Sequence, residues 1–154
     1  MLSLSSPYCY TDFSFAPRTP LGRLWACGED LKEEKRMDYR TKAINCVKDT
    51  ALPVQMQWFQ ECDYNLDTYC RKYGETEFFF AKEIEAGHIY EMGYPKCVCP
   101  EALAGGKEAS FCECSRQGMI YVLENMMPEK HIEVEIIETV LSGAEKCRFK
   151  VTID

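Results

Sequence analysis

The fold of this chain is decided near its end, in IEVEIIETVLSGAEKCRFKVTI at residues 132–153. The stretch contains two runs in which apolar and polar residues alternate, on either side of SGAE at residues 142–145. Alternation with a period of two is typical of a β-strand that buries one face and exposes the other. Small and polar residues between two such runs are typical of a turn. The stretch therefore predicts an antiparallel β-hairpin.

The length of the turn predicts the register of the hairpin. A four-residue loop places Val140 opposite Cys147 and, counting outward, Glu138 opposite Phe149 on the apolar face. A carboxylate that points into a core costs free energy unless another group pairs with it. We therefore expect Glu138 and Cys147 to lie near each other as ligand-binding residues.

Two Cys-x-Cys pairs precede the hairpin, in KCVCPEALAGGKEASFCECS at residues 96–115. Residues two apart on a strand point to one side, so two antiparallel strands would place the four thiols on one face. Directly opposed Cβ atoms in such a pair are about 4.5–5.5 Å apart, and modest bending would let four sulfurs approach one zinc ion. The candidate ligands of a zinc or iron cofactor are Cys97, Cys99, Cys112 and Cys114.

Other interpretations of these cysteines stay open. Structural zinc sites commonly use Cys-x-x-Cys, whose turn aims both sulfurs at one point, whereas a strand aims them in parallel. Two cross-strand disulfides, or reduced thiols that line a pocket or fill the core, are the alternatives. A nucleophilic cysteine needs a histidine partner, and the chain contains two histidines, His88 and His131. His131 lies at the far end of the strand of Glu138, whereas His88 precedes the first cysteine pair and could approach it.

The rest of the chain predicts helices followed by strands. Residues 29–49 suit an exposed helix, and an apolar stripe over residues 53–74 predicts a second helix that belongs to the core. The aromatic run at residues 75–86 suits a short helix or a strand, of which the helix is favoured, and HIYEMGY at residues 88–94 favours a strand. A further helix is expected over residues 115–127, closed by the proline that follows.

The predicted fold class is α+β, with N-terminal helices packed on an antiparallel sheet and a C-terminal order β-β-α-β-β. Residues 1–30 are rich in Ser, Pro and aromatic residues without a clear period, which predicts a poorly ordered extension. Residues 31–154 are expected to form a single domain of the ligand-binding type, because 154 residues with 46% hydrophobic content suffice for one core.

Charge and composition argue against several kinds of partner. The net charge of −7 disfavours a nucleic-acid surface, which needs basic residues to neutralise phosphates. No run approaches the roughly 20 apolar residues that span a bilayer, and the N-terminus lacks the pattern of a signal peptide. We therefore expect neither nucleic-acid nor membrane partners, and a cytoplasmic location in which the ten cysteines are reduced.

The ending HIEVEIIETVLSGAEKCRFKVTI resembles the C-terminal hairpin of the 4-vinyl-reductase-type small-molecule-binding domains and of the related L-2-amino-thiazoline-4-carboxylic acid hydrolase family. The positions that carry this resemblance are Glu138, Thr139, Gly143, Cys147 and Phe149. CVCP and FCECS resemble an uncharacterised bacterial branch of the group. The resemblance covers residues 53–154 and implies helices on one face of an antiparallel sheet, a small-molecule ligand and a homodimer.

Three functions follow from these observations. The first is a cytoplasmic, sensor-like domain that binds a small molecule or a metal ion at the face of Cys97, Cys99, Cys112, Cys114 and Cys147. The second is a hydrolase resembling the amino-thiazoline-carboxylate family, with Cys147 and Glu138 as catalytic residues. The third is an interaction module whose cysteines are structural only. Whether the protein is an enzyme is left open by the sequence.

Overall fold

The computed structural model describes residues 38–154, so the predicted extension over residues 1–30 lies outside the described residues. In chain order the helices are α1 at residues 38–47, α2 at Ala51–Glu61, α3 at Leu66–Tyr73, α4 at Pro100–Leu103 and α5 at Glu113–Met126. The strands are β1 at Phe80–Glu85, β2 at Ile89–Tyr94, β3 at Ile132–Glu138 and β4 at Cys147–Ile153. Short 3-10 turns occupy Ala109–Cys112 and Val140–Ser142. The predicted α+β class is confirmed, with β1 and β2, rather than the two Cys-x-Cys pairs, as the strands that precede α5.

Within residues 38–154 the sheet has four antiparallel strands in the order β1-β2-β4-β3. Strand β4 lies at its centre, and Phe149 and Val151 on that strand are 0% exposed. Tyr90 and Met92 on β2 are buried beside them. Helices α3 and α5 pack on this face of the sheet, and α2 packs on both helices. The core is therefore a helical layer on one face of the sheet.

The predicted β-hairpin is confirmed, but its predicted register is wrong. Ile136 lies opposite Phe149, and a β-bulge before Glu138 places this carboxylate opposite Arg148. The connection is longer than four residues because Thr139 caps a 3-10 turn: its Oγ1 accepts a hydrogen bond from the Ser142 amide at 3.2 Å. Glu138 therefore does not face the apolar core.

The single helix predicted over residues 53–74 is two helices. Asp63 and Tyr64 adopt left-handed backbone angles, with φ of 55° and 56°, and so end α2. Asn65 then starts α3, because its side chain accepts a hydrogen bond from the amide of Thr68 at 2.8 Å. The apolar stripe survives the break, and Tyr69 is buried in the core as predicted.

Two local predictions are wrong. Instead of a helix, the aromatic run at residues 75–86 contains strand β1 at Phe80–Glu85, which pairs with β2. The two Cys-x-Cys pairs do not form strands: the first lies in an irregular segment before α4, and the second lies where the 3-10 turn meets α5. Pro100 favours the helical turn α4 in the segment that was predicted to be the loop between the two cysteine strands. No helix among residues 38–154 has the length and apolar character to cross a membrane.

Candidate functional site

A cavity of about 480 Å³ lies between the helices and the sheet, and we call it the apolar cavity. Helix α5 lines it with Met119, Val122 and Met126, and the sheet lines it with Met92 and Tyr94. Small-molecule sites in proteins have volumes of roughly 300–1,000 Å³ and mostly apolar walls. The cavity therefore has the size and the chemistry of a ligand site.

The walls of the apolar cavity are held by close packing around it. Helices α1 and α5 pack closely at Gly118, where a Cβ would make ordinary contacts of 3.4 Å with Cγ1 of Val47 and 3.7 Å with Cβ of Ala43. Trp58 lines the cavity and stacks on Tyr73, with ring centroids 4.7 Å apart. The methionines on the other walls are unbranched and flexible, so they can adjust to the shape of a ligand.

Most of the polar side chains that line the apolar cavity are already paired. The Tyr69 hydroxyl donates a hydrogen bond to Oε1 of Gln55. The Thr76 hydroxyl donates to the carbonyl of Phe79 at 2.8 Å and accepts from its amide at 2.9 Å. Among residues 38–154 the Tyr94 hydroxyl has no hydrogen-bond partner. The indole N–H of Trp58 and the side-chain nitrogen of Gln55 likewise have no partner in the described part of the chain, so Tyr94 supplies the hydroxyl among three lining side chains with open hydrogen-bonding capacity.

Tyr94 also borders a second, smaller space, which we call the thiol cavity. Its volume is about 10 Å³, close to the least that holds one water molecule. The cysteines that line it are Cys97, Cys99, Cys112 and Cys147. The fold thus brings together three of the four predicted metal ligands with Cys147, whereas Cys114 does not line this cavity.

The cysteines of this region are free, and burial keeps the thiols of Cys112, Cys114 and Cys147 protonated at neutral pH. Burial raises the pKa of Cys112 and of Cys147, and it raises the pKa of Cys114 to about 11. The Cys147 sulfur accepts a hydrogen bond from the Val140 amide at 3.4 Å, which partly offsets the effect of burial. In the described part of the chain no group of three or more His, Cys, Asp or Glu side chains is arranged to hold a metal ion.

Glu138 and Cys147 are not brought together. Nε of Arg148 donates to Oε1 of Glu138 at 2.7 Å, and Nη1 of Arg148 donates to Glu91 at 3.2 Å. Consecutive residues of a strand point to opposite faces, so Arg148 and its two carboxylate partners lie on the face away from Cys147. The predicted register places the Glu138 carboxylate in the core, but in the structure it forms an ion pair with Arg148 on the outer face.

The two histidines lie away from both cavities. Nδ1 of His88 is 2.9 Å from the carbonyl oxygen of Ile153, near the end of β4. Nε2 of His131 is 3.2 Å from Oε1 of Glu133. Neither ring lines the apolar cavity or the thiol cavity. The geometry therefore supplies no histidine partner for Cys147.

The residues that line the apolar cavity were missed as site residues by sequence reasoning. The stripe with Trp58 and Tyr69 indicates core, and Tyr94 indicates only the end of a strand. Three methionines, Met92, Met119 and Met126, line the cavity, but methionine is also an ordinary core residue. A cavity depends on how helices and sheet are spaced, so the periodicity of one segment carries no signal for it.

In comparisons with known proteins, no family model, no curated protein and no solved structure matches this chain. The site is therefore interpreted from its own geometry and chemistry.

Proposed function

We propose that this protein is a small-molecule-binding domain whose ligand occupies the apolar cavity. The observation that carries the proposal is an apolar space of about 480 Å³ bounded by α2, α5 and the sheet. Transfer of apolar surface from water into such a space is favourable by about 25 cal/mol per Å². A ligand with a compact apolar body, such as a fused pair of aromatic rings, suits this volume and these walls.

The entrance to the apolar cavity lies between the segment before β1 and the segment after β2. Phe78 and Val98 line the cavity and are nevertheless 57% and 36% exposed, which marks its rim. Nζ of Lys96 lies 4.6 Å from the centroid of the Phe78 ring and 2.9 Å from Oε1 of Glu77, so it connects the two segments. Surface ion pairs of this kind are weak, so the rim can open for a ligand.

Filling the cavity with protein atoms tests the proposal. Val122→Phe places a larger side chain into the cavity, whereas Val54→Phe makes the same change at an exposed position of α2 that does not line it. Binding of naphthalene derivatives is measured by calorimetry. We expect Val122→Phe to weaken binding by about tenfold or more, since the ligand loses space and contacts. Equal affinities of the two variants, or no binding by the wild type, would contradict the proposal.

A second function, the uptake of zinc or iron, is favoured by the four cysteines around the thiol cavity. Thiolates are suitable ligands for both metals. Because the side chains are not arranged around a metal position, uptake would require them to move and to release protons. The raised pKa values of Cys112 and Cys147 predict that metal affinity increases as the pH rises, because fewer protons then compete.

Metal analysis by mass spectrometry on the native protein tests this second function. We expect about one metal equivalent, with loss in Cys147→Ser and retention in Cys46→Ser, whose side chain is exposed and does not line the thiol cavity. A metal-free protein of unchanged stability would instead favour the interaction module with structural cysteines. In that case Cys97→Ser would cost only the stability of one small, partly buried group.

The hydrolase with Cys147 and Glu138 as catalytic residues stays a prediction, and the observed geometry offers it little support. A nucleophilic thiol needs a base within hydrogen-bond reach. Glu138 is paired with Arg148 on the opposite face, and burial raises the pKa of Cys147. Turnover of a cyclic amidine substrate that is abolished in Cys147→Ala would establish this activity.

A further inference from the structure

Tyr94 and Val98 line both the apolar cavity and the thiol cavity, and Tyr94 is the one of the two with a polar side chain. Every side-chain nitrogen or oxygen that is fully enclosed within residues 38–154 has a hydrogen-bond partner, and the Tyr94 hydroxyl has none. The hydroxyl oxygen is therefore not sealed by protein atoms. Because Tyr94 borders these two cavities, they are the nearest spaces toward which its hydroxyl can open.

The orientation of Tyr94 is set by its aromatic neighbours. Its ring centroid lies 6.5 Å from that of Phe79 and 6.1 Å from that of Phe149, with the Phe149 ring edge-on. These contacts restrict the ring without using the hydroxyl. The ionisable groups that act on the Tyr94 hydroxyl are thiols, and Cys147 has the strongest effect among them. A thiol sulfur is a weak hydrogen-bond acceptor. No protein group therefore competes strongly for the hydroxyl proton.

The charge of the apolar cavity restricts the ligand that it can take. Among the described residues that line it there is no Lys, Arg, His, Asp or Glu. A charged group placed between these walls would lack a compensating partner, which is costly. The ligand is therefore neutral inside the cavity. A neutral group that satisfies a phenol donor best is a carbonyl oxygen, which accepts through two lone pairs.

We propose that Tyr94 is the polar anchor of the apolar cavity, and that its hydroxyl donates a hydrogen bond to the carbonyl oxygen of a neutral, largely apolar ligand. This inference rests on the proposed function, because it assumes that the apolar cavity holds a ligand. It adds the class of ligand and the residue that selects it. A site that offers a buried donor discriminates against analogues without an acceptor, since the donor then stays unpaired.

A matched pair of ligands and a matched pair of variants test this anchor. The ligands are naphthyl ethyl ketone and propylnaphthalene, which differ by the replacement of the carbonyl with a methylene group. The variants are Tyr94→Phe and, as a control, Tyr64→Phe, whose side chain is exposed and lines neither cavity. Affinities are measured by calorimetry, and the carbonyl stretch of the bound ketone is measured by infrared spectroscopy.

We expect Tyr94→Phe to weaken binding of the ketone by roughly fivefold to tenfold and to leave binding of the hydrocarbon within about twofold. The carbonyl stretch of the bound ketone should lie at lower frequency in the wild type than in Tyr94→Phe. Tyr64→Phe should change neither quantity. Circular dichroism checks that Tyr94→Phe is folded; if it is not, the carbonyl stretch in the wild type decides, compared with the ketone in an alkane.

The outcomes separate the anchor from the proposed function. Equal losses for ketone and hydrocarbon, or an unshifted carbonyl stretch, would overturn the anchor while leaving a ligand-binding cavity in place. Failure of both ligands to bind the wild type would overturn both proposals. A preference for the ketone that persists in Tyr94→Phe would show that another donor takes its carbonyl, which also overturns the role of Tyr94.

Discussion

Strand β2 carries a tyrosine at each end, and both lie on the same face of the sheet. One of the two hydroxyls is hydrogen-bonded within the protein, and the other is not. The Tyr90 hydroxyl donates to Oδ1 of Asp67 at 2.5 Å and accepts from the Gly87 amide at 2.9 Å. The Tyr94 hydroxyl, four positions further along, has no partner among residues 38–154. The first end of the strand is closed by the protein's own groups, and the second opens on two cavities. The unpaired hydroxyl at the second end is the feature on which the proposed ligand contact rests.

Strand β4 pairs with β2 along its length. We therefore expect the largest loss of stability from a substitution on β4. Phe149 on β4 lies opposite Met92, between the two tyrosines, and packs edge-on against Tyr94. We expect Phe149→Ala to lower the free energy of unfolding by about 3–5 kcal/mol, because the side chain is fully buried. Phe78→Ala at the exposed rim is the control. Urea unfolding measures both, and similar losses for the two variants would contradict this account of the core.

Removal of each tyrosine hydroxyl in turn should affect stability differently at the two ends of β2. Tyr90→Phe removes two hydrogen bonds and leaves the Asp67 carboxylate and the Gly87 amide with their mutual hydrogen bond of 3.1 Å, so we expect a loss of about 1–3 kcal/mol in the free energy of unfolding. Tyr94→Phe removes an unpaired donor and should change stability by less than about 0.5 kcal/mol in either direction. Thermal and urea unfolding check both values. A larger loss for Tyr94→Phe would mean that its hydroxyl has a structural role.

The pH dependence of stability should also reveal the hydrogen bond at the Tyr90 end of β2, although this effect is smaller than that of removing the hydroxyl. The hydrogen bond from Tyr90 holds the pKa of Asp67 below its usual value of 3.8. A carboxyl group with a lowered pKa in the folded state contributes stability above its unfolded pKa, and this contribution is lost as the pH falls through the folded value. Wild-type protein should therefore lose stability below about pH 4, and Tyr90→Phe should lose less over the same range. Urea unfolding between about pH 2.5 and pH 6 measures the difference, and parallel curves for the two proteins would contradict it.

Sequence patterns predicted the elements whose signal is local. The alternation at residues 132–153 predicted the hairpin, and the aliphatic run before Pro128 predicted α5. Strand β2 was also predicted from its own residues. These elements each bury one face, so their periodicity records which side is in the core.

Predictions that depended on the connections between elements were wrong. The capped turn at Thr139 and the bulge before Glu138 changed the hairpin register, and Asn65 restarted the helix that was expected to continue. The aromatic run became strand β1 because β2 was available to pair with it, which no property of the run itself could show. Local hydrogen bonds from short polar side chains compete with regular structure, and their outcome is decided by a few atoms.

The sequence by itself determined the α+β class, the hairpin and the presence of several cysteines close together in the chain. Only the tertiary structure decided that Cys147 joins Cys97, Cys99 and Cys112 around one cavity, and that Tyr94 stands between this cavity and a much larger apolar one. The physical reason is that periodicity reports the burial of a residue, whereas a cavity is the space left between elements from distant parts of the chain.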